Sequence, residues 1–496
     1  MDAAARRQAG ELRSALRRRG ATTRQVAAAI ARGFEVTPQA AFRHAAGLSQ
    51  AEVAERYNQR WPGEHPKTFK HVSYWECWQG PGAGATASSR APSYEDLSRL
   101  ADLYGCLVDD LLLGPCHAAA APVPDPAGGL AQVISLLIAG GYAERPEGDE
   151  DDVSIALRVP DGEGTITVKL SRRHFTELLA AGGLAAVLAD FALASTAGAG
   201  AGARSAADYR RVLAAHQSGH HLLEPAAHIS ALRQILGGME QQRAQSTSSR
   251  ARQELRHVQS EYAEHVSWLY REAGDLGACR RWADRAAGWA LESGDTSMAT
   301  YMTLRGANLA LDQGDHRQAA ELAVTAQNVS WPIPPALRGV ALAYEARGRA
   351  HTGTVARAQL DDAAELLTRD GPDDGPAYLR FYNADFADLQ RATCYVDAGV
   401  PGPAVTILQS KITTLPVSHG RDRGLYLARL GAAHAAGQVP DAAAYAAMGS
   451  LAEARRAGSR HVLAELGRLD ATLTRRWPAQ PQVRQFHDAL RAARAA

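Results

Sequence analysis

Side chains suited to binding a partner are concentrated in one short stretch near the N-terminus, Thr68 to Glu76. Val72 and Trp75 lie three residues apart, which is the spacing of one buried stripe on a helix. The same spacing leaves four side chains with outward options: Phe69, Lys70, His71 and Tyr74. A cation, an imidazole, a phenol and a flat ring on one helix suit hydrogen bonding and stacking.

The residues before this stretch predict a second short helix with clear start and stop signals. Gly47 suits the left-handed backbone that follows a helix end. Ser49 and Glu52 match the Ser-x-x-Glu pattern of a capping box. One apolar stripe then follows, formed by Val53, Ala54 and Tyr57. We therefore expect two short helices joined by the turn from Asn58 to Lys67.

Together these pieces resemble the Cro/CI-like (XRE) family of helix-turn-helix DNA-binding domains. The resembling span runs from about Pro38 to Gly114. The motifs that carry it are Phe42-Arg43, Gly47 to Arg56, Val72 to Glu76, Pro92 to Gly105 and Asp109 to Leu112. The chain departs from the family pattern in its long turn, residues 58–67, and in a Gly/Ala/Ser insert at residues 80–89.

The resemblance implies a five-helix domain whose second central helix enters the DNA major groove. It implies a DNA-contacting set in this chain: Gln50, Thr68, Phe69, Lys70, His71 and Tyr74. Gln50 matches a position that contacts phosphate at a helix N-terminus, and Lys70 is the leading base or phosphate contact. Arg43 and Glu76 match positions that form a partly buried, stabilising ion pair.

Charge supports a phosphate-binding first domain. The whole chain is balanced, with 54 Lys and Arg against 53 Asp and Glu. Its first 80 residues hold 13 basic and 7 acidic side chains. A phosphate-binding domain would show such a local excess, but taken alone the excess is more typical of a solvated Arg-rich face. Arg60, His65 and Lys67 are either phosphate contacts or parts of a solvated loop.

Signals for catalysis or metal binding are weak. The chain lacks the Gly-x-Ser-x-Gly, Walker and His-Glu-x-x-His patterns, so we expect neither an enzyme nor a cofactor. Its five cysteines are widely spaced and have no ligand spacing. One histidine cluster is present: His216, His220, His221 and His228. Ser218-Gly219 interrupts the i, i+4 spacing of its first pair, so we favour an interdomain turn over a metal site.

Composition predicts a cytoplasmic protein. Unpaired, scattered cysteines fit a reducing compartment. The N-terminus has no apolar run of the signal-peptide type, and no 18-residue apolar run occurs elsewhere. The dominance of Arg over Lys and the abundance of Ala and Gly are typical of a GC-rich, actinobacterial genome.

Six regions follow from the composition shifts along the chain. We predict an N-terminal helical extension (1–37), the helix-turn-helix domain (38–115), a Pro-rich linker (116–129), a small α+β element (130–193), a flexible linker (194–207) and a helical repeat domain (208–496). The α+β element contains a hairpin signal, because β-branched strands flank Pro160 to Gly164.

The last region shows internal self-similarity. Turn glycines recur at intervals of 40, 39, 46 and 38 residues, at Gly274, Gly314, Gly353, Gly399 and Gly437. An Ala-rich helix follows each one, so each unit is a helix pair that must stack on its neighbours to bury its apolar face. The pattern resembles tetratricopeptide (TPR) repeats, and a generic helical bundle is the alternative.

A stacked solenoid implies a concave groove for an extended peptide or a helix. Asn308, Asn328 and Asn383 are the groove candidates, because side-chain amides can hold a peptide backbone. Aromatic residues at helical spacing are more typical of the core between repeats: Tyr262, Tyr301, Tyr344 and Tyr378 are examples.

The sequence thus predicts a mainly α protein with an XRE-type head, a small α+β hairpin element and a TPR-like α-solenoid. We expect a homodimeric transcriptional regulator that binds double-stranded DNA. Its repeats are expected to sense a peptide, small molecule or protein partner, without membrane contact. This architecture resembles the peptide-responsive regulators that join the two modules, and large actinobacterial regulators. The alternatives are a TPR-type adaptor with a vestigial helix-turn-helix, and an enzyme of unrecognised chemistry.

Overall fold

A computed structural model describes most of the chain, and the protein is mainly helical, which confirms the predicted class. The described residues are 3–63, 66–82, 89–114, 152–158, 165–171, 205–219, 225–369, 377–379, 381–415 and 419–495. The predicted linker at 116–129, most of the linker at 194–207 and all but two strands of the α+β element at 130–193 lie outside these ranges. No helix within them is both long enough and apolar enough to cross a lipid bilayer.

Seven helices form the N-terminal domain, which we call the head. They are α1 (Ala3–Arg18), α2 (Thr23–Phe34), α3 (Pro38–Ala46), α4 (Gln50–Arg60), α5 (Phe69–Glu76), α6 (Tyr94–Tyr104) and α7 (Val108–Leu113). Local signals set their ends: Ser49 and Glu52 form a reciprocal capping box at α4, and Gly47 ends α3 with φ 75°. The predicted caps of these helices are thus present.

The head has one core, to which the N-terminal extension contributes. Phe42, Val53, Leu97 and Leu111 are fully buried at its centre. From α2, Val26, Ala27 and Ile30 join the same cluster. The predicted extension at 1–37 is therefore packed into the head and shares its core.

Two strands lie between the head and the repeats. The first, β1 (Asp152–Arg158), pairs antiparallel with β2 (Thr165–Ser171). In this register Val153 is opposite Leu170 and Ile155 is opposite Val168. The turn predicted at Pro160 to Gly164 lies outside the described residues.

The remaining helices form successive antiparallel pairs. They are α8 (Ala206–Gly219), α9 (Pro225–Gln245), α10 (Ser249–Glu272), α11 (Leu276–Ser293), α12 (Thr296–Asp312), α13 (His316–Gln327), α14 (Pro335–Ala350), α15 (Arg357–Arg369), α16 (Ala384–Asp397), α17 (Pro401–Thr414), α18 (Gly420–Ala436), α19 (Pro440–Ala457), α20 (Arg460–Arg476) and α21 (Pro481–Ala495). Small residues let neighbouring helices approach closely. At Gly348 of α14, an added Cβ would lie 2.7 Å from the His316 carbonyl oxygen of α13.

Four of the five repeat turns use the predicted glycine. Gly274, Gly314, Gly353 and Gly399 have φ between 74° and 87°. At the fifth turn Gly437 has φ −78°, and Gln438 takes the left-handed conformation with φ 60° instead. The last turn is thus displaced by one residue from the sequence prediction.

The first helices of the pairs stack in order, and the stack turns back on itself. Helix α20, the first helix of the last pair, contacts α10, the first helix of the second pair. The buried Ser459 hydroxyl donates to Glu272 Oε2 across 2.7 Å, and Arg468 donates to the Asp312 carbonyl oxygen at 3.2 Å. The inward faces of these helices are buried, and they hold ion pairs such as Arg271 with Asp312.

The head is docked on helices α18 and α19. Tyr445 of α19 is buried in the head core, and its ring centre lies 5.5 Å from that of Trp78. The Tyr445 hydroxyl donates to the Pro92 carbonyl oxygen, and Arg423 of α18 forms an ion pair with Asp109 of α7. Apolar and charged contacts together hold the head on the repeats.

Candidate nucleic-acid interface

The outward face of α5 presents three of the predicted contact residues. Val72 and Trp75 are buried against the head core. Lys70 and His71 are exposed, and Phe69 is 54% exposed. The Phe69 ring and the Lys70 ammonium are thus both accessible on the solvent-facing side of α5.

Thr68 and His71 cap this helix. The Thr68 backbone N–H donates to His71 Nδ1 across 3.0 Å, and the Thr68 hydroxyl lies 2.9 Å from the same nitrogen. His71 Nδ1 is therefore an acceptor, so the neutral ring carries its proton on Nε2. The ring stays exposed and offers Nε2–H to a partner. Both residues thus have a structural role as well as a predicted binding role.

Tyr74 is half-buried and is covered by Arg90, which no sequence pattern indicated. The Arg90 backbone N–H donates to the Tyr74 carbonyl oxygen at 3.3 Å. The Arg90 guanidinium lies 5.9 Å from the Tyr74 ring centre, within cation–π range. Arg90 is exposed, so it adds a second cation to the surface formed by α5. It follows the Gly/Ala/Ser insert, and no local pattern links it to α5.

Gln50, the predicted phosphate contact, has a partner within the head. It is half-buried at the start of α4, and its Nε2 donates to Glu76 Oε2 across 2.7 Å. This bond uses one of the two N–H groups of the side-chain amide. The α4 N-terminus still carries its positive end of the helix dipole.

Arg43 and Glu76 are brought together across α3 and α5. Arg43 reaches both carboxylate oxygens of Glu76, with Nη2 to Oε2 at 3.1 Å, and donates to the Leu48 carbonyl oxygen at 2.8 Å. The Thr37 hydroxyl donates to the Glu76 carbonyl oxygen at 2.9 Å. Burial and the adjacent guanidinium of Arg43 lower the pKa of His44 to about 4, which keeps that ring neutral beside the pair.

The long turn between α4 and α5 is ordered by Asn58. Its side-chain amide bonds to both the backbone N–H and the carbonyl of Lys67, at 2.7 and 2.8 Å. Lys67 Nζ lies 3.0 Å from Asp96 Oδ1, and the Tyr57 hydroxyl donates to the same oxygen at 2.6 Å. Burial raises the pKa of Asp96, but hydrogen bonds from Tyr57, Ser93 and Lys67 outweigh it and hold that pKa below its ordinary value.

The Lys67 ammonium is therefore engaged in contacts within the head. Of its two companions in the predicted basic turn, His65 lies outside the described residues. Arg60 lies 3.7 Å from Asp102, and both side chains are more than half exposed. It retains access to solvent and to a polyanion.

Helix α4 also carries exposed acidic side chains. Glu52 and Glu55 are exposed, next to the exposed Arg56. The Glu52 carboxylate accepts the Ser49 backbone N–H at 2.7 Å, and hydrogen bonds from Ser49 lower its pKa. Helix α4 thus carries two acidic side chains and, with Arg60, two basic ones.

In the repeats, the three candidate asparagines have different environments. Asn308 is half-buried on α12, where its Nδ2 donates to the Tyr344 hydroxyl at 2.7 Å and its Oδ1 accepts from Arg271 at 3.3 Å. Asn328 is the C-cap of α13, and its Nδ2 donates to the Val324 carbonyl. Asn383 is the N-cap of α16. Each of the three thus has a hydrogen-bond partner within the repeat domain.

One group in the repeats has the composition of a metal site. Potential ligand atoms of Asp312, His461 and Glu465 lie within 4.8 Å of one another. Arg271 pairs with Asp312, and Arg468 lies 2.9 Å from Glu465, so both carboxylates are already neutralised. The i, i+4 spacing on α20 was the only sequence signal for this group.

The predicted histidine cluster is only partly described. His216 and His228 are buried, with their Nδ1 atoms 3.0 Å apart. His220 and His221 lie outside the described residues. The described pair belongs to α8 and α9, so it connects two helices of the repeat domain.

Comparisons with known proteins give no match among family models, curated proteins or solved structures.

Proposed function

We propose that this protein is a DNA-binding transcriptional regulator with an XRE-type helix-turn-helix head. The observation that supports it best is α5, whose inner residues Val72 and Trp75 fix it to the core while Phe69, Lys70 and His71 remain exposed. Lys70 offers a cation for a base edge or phosphate, His71 offers Nε2–H, and the Phe69 ring suits a thymine methyl group.

We further propose that the helix pairs form a TPR-like domain that senses a peptide, small molecule or protein partner. Its route to the head is the docked contact formed by Tyr445 with Trp78 and by Arg423 with Asp109. A partner that favours one arrangement of this contact shifts the population of DNA-competent homodimers.

The test is fluorescence-anisotropy titration of the full chain with DNA from upstream of its own gene, against a scrambled duplex, over a salt series. The Lys70→Ala variant is expected to bind the specific duplex about tenfold more weakly, with a smaller salt slope. Arg317→Ala is the matched control, because Arg317 is an exposed cation on α13, remote in sequence from the head. It should bind as the wild type does.

Equal affinity for the two duplexes, unchanged by Lys70→Ala, would contradict specific DNA binding through α5. Unchanged melting temperatures of both variants are required, because loss of the fold also abolishes binding.

A second candidate is a TPR-type adaptor with a vestigial helix-turn-helix. It is favoured by the engagement of Gln50 with Glu76 and by the exposed Glu52 and Glu55 on α4. An adaptor retains its protein partners in an affinity pull-down when Lys70 is replaced, and it shows no preference between the duplexes above.

A further inference from the structure

A small cavity opens on the repeat domain, remote in sequence from the head. Its volume is about 290 Å³, and six residues line it: Arg233, Tyr270, Ala278, Arg281, Trp282 and Arg285. They come from three helices, α9, α10 and α11. Arginine and aromatic side chains thus make up five of the six lining residues.

The arginines of this cavity have no acidic partner. Arg233, Arg281 and Arg285 are exposed, and within the described parts of the chain none of them forms an ion pair. Elsewhere in the repeats, surface arginines such as Arg317 and Arg250 pair with a glutamate one helical turn away. Three unpaired guanidiniums around one concavity form a site for a multiply charged anion, because guanidinium groups match phosphate oxygens in a bidentate geometry.

Aromatic side chains form part of the cavity wall. The Arg285 guanidinium lies 4.8 Å from the ring centre of Trp282 and 5.5 Å from that of Trp289. Tyr270 and Trp282 are half-buried and packed against the core, so their positions are fixed. Indole rings and guanidinium planes are both surfaces on which nucleobases stack.

We propose that this cavity binds a free nucleotide, with the phosphates on Arg233 and Arg281 and the base stacked on the Arg285 guanidinium that lies over Trp282. An aliphatic polyanion would contact the arginines but would not stack on the aromatic part of the cavity wall. The cavity volume suits a single small ligand, and it is a concavity between three helices rather than a track along the surface. The proposal is independent of DNA binding by the head.

The experiment is a titration of the full chain with N-methylanthraniloyl-ATP, read by energy transfer from tryptophan, with ATP, AMP and pyrophosphate as competitors. The Arg233→Gln/Arg281→Gln variant should bind roughly ten- to a hundredfold more weakly, because two charge-assisted contacts are lost. Both replaced side chains are exposed and unpaired, so the fold should be unaffected. Arg285 is retained in this variant because it covers the two indole rings.

Arg280→Gln is the matched control. Arg280 is the adjacent exposed arginine of α11, but it lines a different cavity, and its loss should leave affinity unchanged. Lys70→Ala should also bind the nucleotide as the wild type does, which separates this site from the head.

Three results would overturn the proposal. The first is the absence of saturable binding at millimolar nucleotide. The second is competition by pyrophosphate as strong as that by ATP, which shows that the base is not recognised. The third is displacement of the probe by duplex DNA together with weaker DNA binding by the double variant, which makes the cavity part of a DNA contact.

Discussion

Glu76 connects three helices of the head through one carboxylate. It accepts from Arg43 of α3 and Gln50 of α4 while it belongs to α5 itself. The Arg43 and Glu76 side chains are each about nine-tenths buried, so neither charge has much access to water. Removing one partner leaves the other charge without compensation, which costs about 3–5 kcal/mol.

Glu76→Ala is therefore expected to destabilise the head strongly. Hydrogen exchange of the full chain should show lost protection of the α3 and α5 amides, with the α13 and α14 amides unchanged. Replacement of both partners, Arg43→Met with Glu76→Leu, should lose less protection because no charge remains buried. Equal protection in the wild type and Glu76→Ala would contradict the structural role of the pair.

At the residue scale, the family resemblance predicted one side-chain pair of the head and missed other contacts. It placed Arg43 and Glu76 in one pair, which the structure also brings together. It did not indicate the bond from the Gln50 side chain to Glu76, 26 positions away. Lys67 likewise reaches Asp96 across 29 positions. Such contacts depend on how helices meet in space, and no local pattern encodes them.

Glycines within helices set how closely the repeat helices approach. At Gly348 of α14, a Cβ would lie 2.9 Å from the backbone nitrogen of Ala320, besides its clash with the His316 carbonyl. At Gly288 of α11, a Cβ would meet nothing within 4 Å. The same substitution should therefore have opposite effects at the two positions.

Gly348→Ala is expected to lower the free energy of unfolding by about 1–3 kcal/mol, because the helices must move apart. Gly288→Ala should raise it by roughly 0.5–1 kcal/mol through the helix propensity of alanine. Calorimetric melting of both variants checks the pair, and a gain in stability for Gly348→Ala would contradict the close packing of α13 on α14.

At the element scale the sequence was informative, because local chemistry sets helix ends. Capping residues predicted the junction between α3 and α4, and turn glycines predicted four turns of the repeats. The exception, Gln438, shows the limit: a residue other than glycine takes the left-handed conformation, and Gly437 beside it does not. A glycine marks where a turn is permitted, but the packing of the adjacent helices chooses the residue that makes it.

At the scale of the whole molecule, the contact between α20 and α10 closes the stack of helices. Ser459 is fully buried, caps α20 through the Val462 backbone N–H and donates to Glu272 on α10. Ser459→Ala should cost about 1–3 kcal/mol, because it removes a cap and leaves a buried carboxylate without its donor.

Hydrogen exchange should report this loss in both α20 and α10. Ser248→Ala is the matched control: Ser248 caps α10 through the Ala251 backbone N–H, but it is exposed. Its effect should stay within the first turn of α10. Protection lost only in α20 after Ser459→Ala would contradict the closed arrangement.

The sequence predicted stacking but not closure. Helix pairs with small residues imply neighbour contacts, and from these an open solenoid with a concave groove is expected. The structure joins Ser459 to Glu272 across 187 positions, and the inward helix faces become buried. Accordingly, Tyr262, Tyr301 and Tyr344 are core residues.

The return of α20 onto α10 also constrains how such a chain can evolve. An open array gains or loses a unit at its end and still leaves every other interface intact. Here a duplicated or deleted helix pair would carry Ser459 away from Glu272 and expose the polar interior to water. The number of helix pairs is therefore expected to stay constant as such a chain evolves, with length variation confined to the loops that join them.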